Sequence, residues 1–283
     1  MDKKNIIDDF GQEDTYKLYR TVYEIIHPTI SKKNISNYKI ILQEDLIPLR
    51  VFYPKKISKL EKAIIYIPGR AWVVSGIKSY SDVCQDLVKE LDTIVIALDY
   101  ELKNKGYMKI VQDGYETIKY LVDGLKRVGI EQEKITVIGD STGASILANI
   151  AMMEENHIPK QILLYPALDL TFQENYPSLE QNNKLDLLTL PHLKTFAKKY
   201  INEDYSSPLN SKDHKTWPNT LIVTGDLDPV RDEGIRLVAM LKAEKKKAKE
   251  INLKFATHGF LNNKDEETIE ECIKEIHKFI TKK

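Results

Sequence analysis

Ile135-Thr136-Val137-Ile138-Gly139-Asp140-Ser141-Thr142-Gly143-Ala144-Ser145-Ile146-Leu147-Ala148 is the stretch whose reading decides the architecture. It opens with a short β-rich apolar run and closes with small and apolar residues suited to a helix. Between them stands Gly-x-Ser-x-Gly. A strand that turns at once into a helix lifts the serine hydroxyl above the carboxyl edge of a sheet. The glycines are required sterically, because so sharp a turn leaves no space for side chains beside the serine.

Working outward, short β-rich runs alternate with longer helical patterns. The runs are Ile40–Leu42, Leu49–Phe52, Ala63–Ile67, Thr93–Leu98, Ile135–Ile138, Gln161–Leu164, Thr220–Val223 and Ile251–Phe255. The third to seventh are nearly continuous apolar stretches, as expected of parallel strands buried on both faces. Apolar residues at three-to-four spacing predict helices over Asp82–Leu91, Val111–Arg127, Gly143–Glu154, Arg231–Lys245 and Glu266–Ile280. The fold class is therefore α/β: a mostly parallel eight-stranded sheet flanked by helices, in one domain over residues 1–283. Two segments fall outside the alternation. Residues 1–35 hold a helical pattern, Thr15–Ile26. Residues from about 167 to 217 hold another, Leu188–Tyr200, with Pro191 in its first turn. Both are expected to form a cap over the carboxyl edge of the sheet, where ligands of such sheets bind.

Composition narrows the functional classes. Lys+Arg and Asp+Glu are 42 each, so the formal net charge is zero and no global field favours nucleic acid or an anionic membrane. With 42% hydrophobic and 30% charged residues, the chain can bury a substantial core. Cys84 and Cys272 form neither a disulfide framework nor a metal-type pair. No signal-peptide core or membrane-length apolar run is legible, so a cytoplasmic protein with no stable membrane insertion is expected.

A serine hydroxyl is a weak nucleophile and needs a base oriented by a carboxylate. Of six histidines, only His258 directly follows the last core run, in Ala256-Thr257-His258-Gly259-Phe260. His27 precedes Pro28, His157 is expected to end a helix, His192 and His214 lie in the insertion, and His277 lies inside the last helix. The acid should follow the preceding strand, where Thr224-Gly225-Asp226-Leu227-Asp228-Pro229 offers two carboxylates. Asp228, fixed by the proline after it, is preferred to Asp226.

Gly139-Asp140-Ser141-Thr142-Gly143, Tyr165-Pro166-Ala167-Leu168-Asp169, Ser207-Pro208-Leu209, Asp228-Pro229-Val230-Arg231-Asp232-Glu233-Gly234 and His258-Gly259-Phe260 together resemble the hormone-sensitive-lipase-like family of α/β hydrolases. The likeness runs from about residue 60 to 262. It implies an α/β-hydrolase fold and a serine hydrolase of the bacterial carboxylesterase or acetyl esterase type. It also supports Ser141, Asp228 and His258 as nucleophile, acid and base.

The chain departs from that family after the third strand. The usual His-Gly-Gly-Gly and aromatic read Pro68-Gly69-Arg70-Ala71-Trp72. By position, the backbone N–H groups of Arg70 and Ala71, with that of Thr142, would form the oxyanion hole. Arg70, one of only six arginines, and Trp72 are candidate substrate-binding residues, Arg70 for a carboxylate or phosphate on the substrate. A second departure is Asp99-Tyr100-Glu101-Leu102-Lys103-Asn104-Lys105, which lacks the family's arginine and proline.

The expected reaction is metal-independent and cofactor-free hydrolysis of small, short-chain carboxylic esters through an acyl-enzyme. The expected partner is the small-molecule ester, with no nucleic acid. A homodimer is suggested by family likeness. An amidase or formamidase with the same triad, and a non-catalytic binding protein on a degenerate hydrolase scaffold, remain alternatives.

Overall fold

The computed structural model describes residues 21–22, 24–26, 35–42, 45–55, 60–69, 80–100, 106–153, 155–172, 174–182, 190–201, 205–211, 214–262 and 265–282. Arg70, Ala71, Trp72, the 101–105 stretch, His27 and most of residues 1–35 lie outside them, as does the side chain of His192.

The strands are β1 (Ile35–Leu42), β2 (Asp45–Phe52), β3 (Ala63–Ile67), β4 (Ile94–Leu98), β5 (Ile135–Asp140), β6 (Lys160–Leu164), β7 (Asn219–Gly225) and β8 (Ala248–Leu253). The helices are α1 (Ser81–Leu91), α2 (Tyr107–Arg127), α3 (Thr142–Ala151), α4 (Pro177–Gln181), α5 (Leu190–Tyr200), α6 (Arg231–Ala243) and α7 (Glu266–Thr281). One sheet runs in the order β1-β2-β4-β3-β5-β6-β7-β8. The β1–β2 and β2–β4 pairs are antiparallel, and every pair from β4 to β8 is parallel.

The continuous apolar runs follow from burial on two faces. In β3, Ile64 and Tyr66 pack with Cys84 and Leu87 of α1 and with Ile273 and Ile276 of α7. The alternate residues Ala63, Ile65 and Ile67 pack in the opposite core with α2, α3 and α6. Side chains of a strand point alternately to the two faces, so each residue meets apolar neighbours. Cys84 and Cys272 are buried free thiols, and burial drives both pKa values upward.

Several boundaries differ from the sequence reading. β8 covers Ala248–Leu253 rather than 251–255, because Phe255 adopts φ +59° and turns the chain toward His258. Phe255 is also 80% exposed. A bulky residue in the left-handed region ends a strand at a real energetic cost. α2 starts at Tyr107 rather than Val111; Tyr107 is fully buried, and its hydroxyl accepts from Asn149 Nδ2 at 2.8 Å. α3 ends at Ala151, where Met152 and Met153 donate to carbonyls three residues back and tighten the last turn. β2 runs through Pro48, which has no N–H to donate, because its carbonyl still accepts from Asp99 N at 2.9 Å. Among the described residues no helix is long and apolar enough to cross a membrane.

Candidate active site

Ser141 stands between β5 and α3 with φ +50° and ψ −118°, an unusual conformation for a residue with a side chain. Such a conformation costs on the order of 1–3 kcal/mol and persists only where surrounding contacts force it. Here Ser141 N donates to Leu164 O at 2.9 Å, and Ser141 O accepts from Ser145 N at 3.0 Å. The packing is close enough to demand a glycine two residues on. A Cβ on Gly143 would lie 2.1 Å from Ile67 O and 2.9 Å from the carbonyl carbon of Pro68. The start of α3 thus rests directly on the end of β3, and the serine hydroxyl is lifted clear.

Three of the sequence-chosen side chains meet. Ser141 Oγ lies 2.9 Å from His258 Nε2. On the other side of the ring, His258 Nδ1 lies 2.9 Å from Asp228 Oδ2 and 3.1 Å from Asp228 Oδ1. A proton on Nδ1 satisfies the carboxylate, which leaves the Nε2 lone pair toward the serine O–H. The Asp228 side chain is fully buried and that of His258 is 8% exposed. Tyr165 fixes the ring plane: its ring packs edge-on against His258 at 5.2 Å and against Phe260 at 4.7 Å.

Asp226, the other acid considered, contributes its backbone. Its carbonyl accepts from Asn182 Nδ2 at 3.2 Å and Arg231 Nη1 at 2.9 Å. Asn182 Nδ2 also donates to Asp228 O at 3.1 Å, and Val230 N donates to Asp228 Oδ1 at 2.9 Å. Ser178 Oγ donates to Pro229 O at 2.9 Å. The other described histidines lie elsewhere. His214, for example, is held by Glu244 Oε1 at 2.6 Å and Pro208 O at 3.2 Å.

Glu233 and Asp140 are buried carboxylates that spacing along the chain assigns no role, although both lie inside the family-like motifs. Glu233, in the first turn of α6, accepts from Leu168 N at 2.5 Å and Asp169 N at 2.8 Å. Burial pushes its pKa up to about 8, against the pull of those two amides. Asp140 accepts from Tyr66 OH and from Gly69 N, both at 2.7 Å, and from Tyr165 OH at 3.4 Å. Burial pushes it up to about 6. Neither partner set is legible from spacing, since the contacts span 25 to 74 residues of chain. Thr142, the one described oxyanion candidate, occupies the first position of α3, the end at which helix amides have no intrahelical acceptor.

A nucleophile-elbow turn, a histidine and a carboxylate at the carboxyl edge of a parallel sheet define a class, and comparison with known proteins agrees. A family profile described as alpha/beta hydrolase fold matches residues 64–262. The chain belongs to that family, in its hormone-sensitive-lipase- and carboxylesterase-like branch. Esterase LipI of Mycobacterium tuberculosis is 25% identical over 229 residues, 76% of this chain and 71% of that protein. An arylesterase of Saccharolobus solfataricus is 24% identical over 245 residues, 82% of this chain and 79% of that protein. Among solved structures, a hyperthermophilic esterase from the archaeon Pyrobaculum calidifontis superposes with a TM-score of 0.79 at 23% identity. That superposition covers 95% of this chain and 91% of the other, and it establishes the fold.

Proposed function

We propose that this protein is a serine hydrolase that cleaves short-chain carboxylic esters through a covalent acyl-enzyme, with no metal or cofactor. The carboxylic ester hydrolase class is supported by relatives named as esterases and as an ethyl acetate hydrolase. The mechanism is carried by one observation: the unbroken contact from Asp228 through His258 to Ser141 Oγ, which stands on a strained turn.

In this reading His258 Nε2 takes the proton from Ser141 as Oγ attacks the ester carbonyl carbon. Asp228 holds the ring in the required tautomer and stabilises the imidazolium. The backbone amides of Arg70, Ala71 and Thr142 receive the oxyanion, a contribution worth roughly 2.7–4 kcal/mol per donor. The C–O bond to the alcohol breaks as His258 returns the proton to the leaving oxygen. Water, deprotonated by the same nitrogen, then releases the acid and regenerates Ser141. Arg70 and Trp72 would contact the substrate beside the hole.

Residues 1–35 and 167–217 are assigned in the same proposal to the cap. An open cavity of about 430 Å³ lies between α5 and the 170–172 segment, lined by Leu170, Thr171, Phe172, Lys194, Ala197, Lys198 and Ile201.

The test is hydrolysis of p-nitrophenyl acetate and butyrate by purified protein and by Ser141→Ala. Turnover is expected to fall by about 10⁴-fold or more in the variant. A fluorophosphonate should label the wild type at Ser141 alone. Equal turnover by the two proteins, or labelling elsewhere, would refute the reading; a wild type inert to both reagents would favour a binding protein.

A further inference from the structure

We propose that Asp140 is a positioning carboxylate of this site: it pins the segment leaving β3 onto the nucleophile turn and presents a second negative charge to His258. The proposal rests on the hydrolytic reading above and adds to it a residue with no part in the Ser141–His258–Asp228 contact.

The geometry begins with a single peptide unit, Pro68–Gly69. Its N–H end, Gly69 N, donates to Asp140 Oδ1 at 2.7 Å. Its carbonyl end, Pro68 O, accepts from Tyr100 OH at 2.6 Å. A peptide held at both polar ends cannot rotate about its flanking bonds, so the direction in which the chain leaves β3 is set. The next amides along the chain are those of Arg70 and Ala71, the proposed oxyanion donors. The fit around this peptide is tight. A Cβ on Gly69 would lie 2.3 Å from Asp140 O, 2.7 Å from Asp140 Oδ2 and 2.8 Å from Ser141 Cβ. Asp140 and Ser141 therefore form the surface on which the segment rests, and a small displacement there would misplace donors that must meet the oxyanion at about 2.7–3.1 Å.

An acceptor alone would anchor Gly69, so the carboxylate needs its own reason. Asp140 is 1% exposed, and burying a carboxylate is costly. Among the described residues its hydrogen-bond partners are the neutral donors Tyr66 OH, Gly69 N and Tyr165 OH. The cationic form of His258 is the charge of opposite sign that stabilises it. The groups around Asp140 are Tyr66 from β3, Tyr165 after β6, Cys84 from α1 and His258 after β8. Tyr66, Tyr165 and Cys84 stay neutral near pH 7, each raised by burial and by Asp140 itself. Burial raises Asp140, while the hydrogen bonds from Gly69, Tyr66 and Tyr165 and the charge on His258 oppose that rise and favour its ionised form. Its charge then favours the imidazolium that forms as Ser141 gives up its proton. Tyr165 joins the two groups, with its ring edge on His258 and its hydroxyl toward Asp140.

Three variants separate anchor from charge: Asp140→Asn keeps an acceptor and loses the charge, Asp140→Ala loses both, and Tyr100→Phe releases only the Pro68 end. Each is compared with wild type for kcat and KM toward p-nitrophenyl acetate from pH 5 to 9, beside its melting temperature. In Asp140→Asn the acid limb of kcat/KM should move to lower pH by about half a unit or more, because His258 loses a stabilising charge. In Asp140→Ala the plateau kcat should fall at least about tenfold with KM within about threefold, the pattern of lost transition-state contacts. Tyr100→Phe should lower kcat in the same way but by less, with the acid limb unmoved. It also tests the anchor if Asp140→Ala does not fold. An unmoved limb in Asp140→Asn overturns the charge, and plateau kcat values equal to wild type in Asp140→Ala or Tyr100→Phe overturn the anchor. Ser141-independent turnover by the wild type would instead overturn the hydrolytic reading, and this proposal with it.

Discussion

The Ser141 turn and the Asp228 loop flank the same imidazole, yet they are held in place by different physics. Around Ser141 close main-chain packing acts beside a few short hydrogen bonds: Gly143 lies against Ile67 and Pro68, Gly69 lies against Ser141, and the turn is bonded to Leu164 and Gly69. Around Asp228 the restraint is polar and comes from distant parts of the chain. Asn182 and Ser178, in and just after α4, hold the carbonyls of residues 226, 228 and 229, while Val230 N caps the carboxylate. Glu233 in turn holds the amides of residues 168 and 169, and Leu168 O accepts from Tyr205 OH and Ser207 Oγ. A sterically held turn should fail all at once when a methyl group is added. A polar loop should loosen bond by bond.

The largest effect should come from the steric side. Gly143→Val places branched carbon where even a Cβ would meet Ile67 O at 2.1 Å. Loss of soluble folded protein, or turnover below about one part in 10³ of wild type, is expected. Circular dichroism and ester hydrolysis measure it, and near-normal activity would show that the turn can yield.

Asp228→Asn comes next. The fold should survive, because the side chain keeps its shape, but the imidazole loses its tautomer control. A fall of about 10⁴ in kcat is expected, with the melting temperature little changed. A fall below tenfold would reassign the acid.

Asn182→Ala tests one bond of the polar network. It removes the donor shared by Asp226 O and Asp228 O and should cost about 1–3 kcal/mol in urea unfolding, with kcat lowered only a few-fold. No change in stability would mean that other donors already satisfy those carbonyls.

Glu233→Gln gives an effect whose size depends on pH. The folded-state pKa, about 8, lies above the ordinary glutamate value, so between roughly pH 4.5 and 8 the folded protein holds a proton that the unfolded chain has released. Wild type therefore loses this contribution as pH rises through that window. Glutamine does not titrate. Its melting temperature relative to wild type should climb between pH 5 and 8 and level off above. A constant offset would show that Glu233 ionises normally.

The two flanks are also unequally legible in the sequence. Ser141 and the strand–turn–helix around it lie within one short stretch, because the steric demand acts between near neighbours. The central strands β3 to β7 are recognisable because burial on both faces leaves an apolar run. The edges of elements are less so: Phe255 ends β8 early and Tyr107 starts α2 early, each through local backbone geometry or a distant partner. Asp140 and Glu233 stood inside quoted motifs without assigned roles, because nothing in their spacing names the tyrosines and amides that face them.

The order of residues along the chain therefore determined the sheet, its helices and which serine and histidine stand at the ends of core strands, since these depend on hydrophobic period and short-range sterics. Folding in three dimensions decided which carboxylate, Asp228 or Asp226, faces the imidazole. It also decided that Asp140 lies behind the serine and touches the peptide after β3. Those outcomes depend on loop conformation and on hydrogen bonds between groups far apart in sequence. Periodicity cannot encode such contacts, because their energy exists only once the elements have packed.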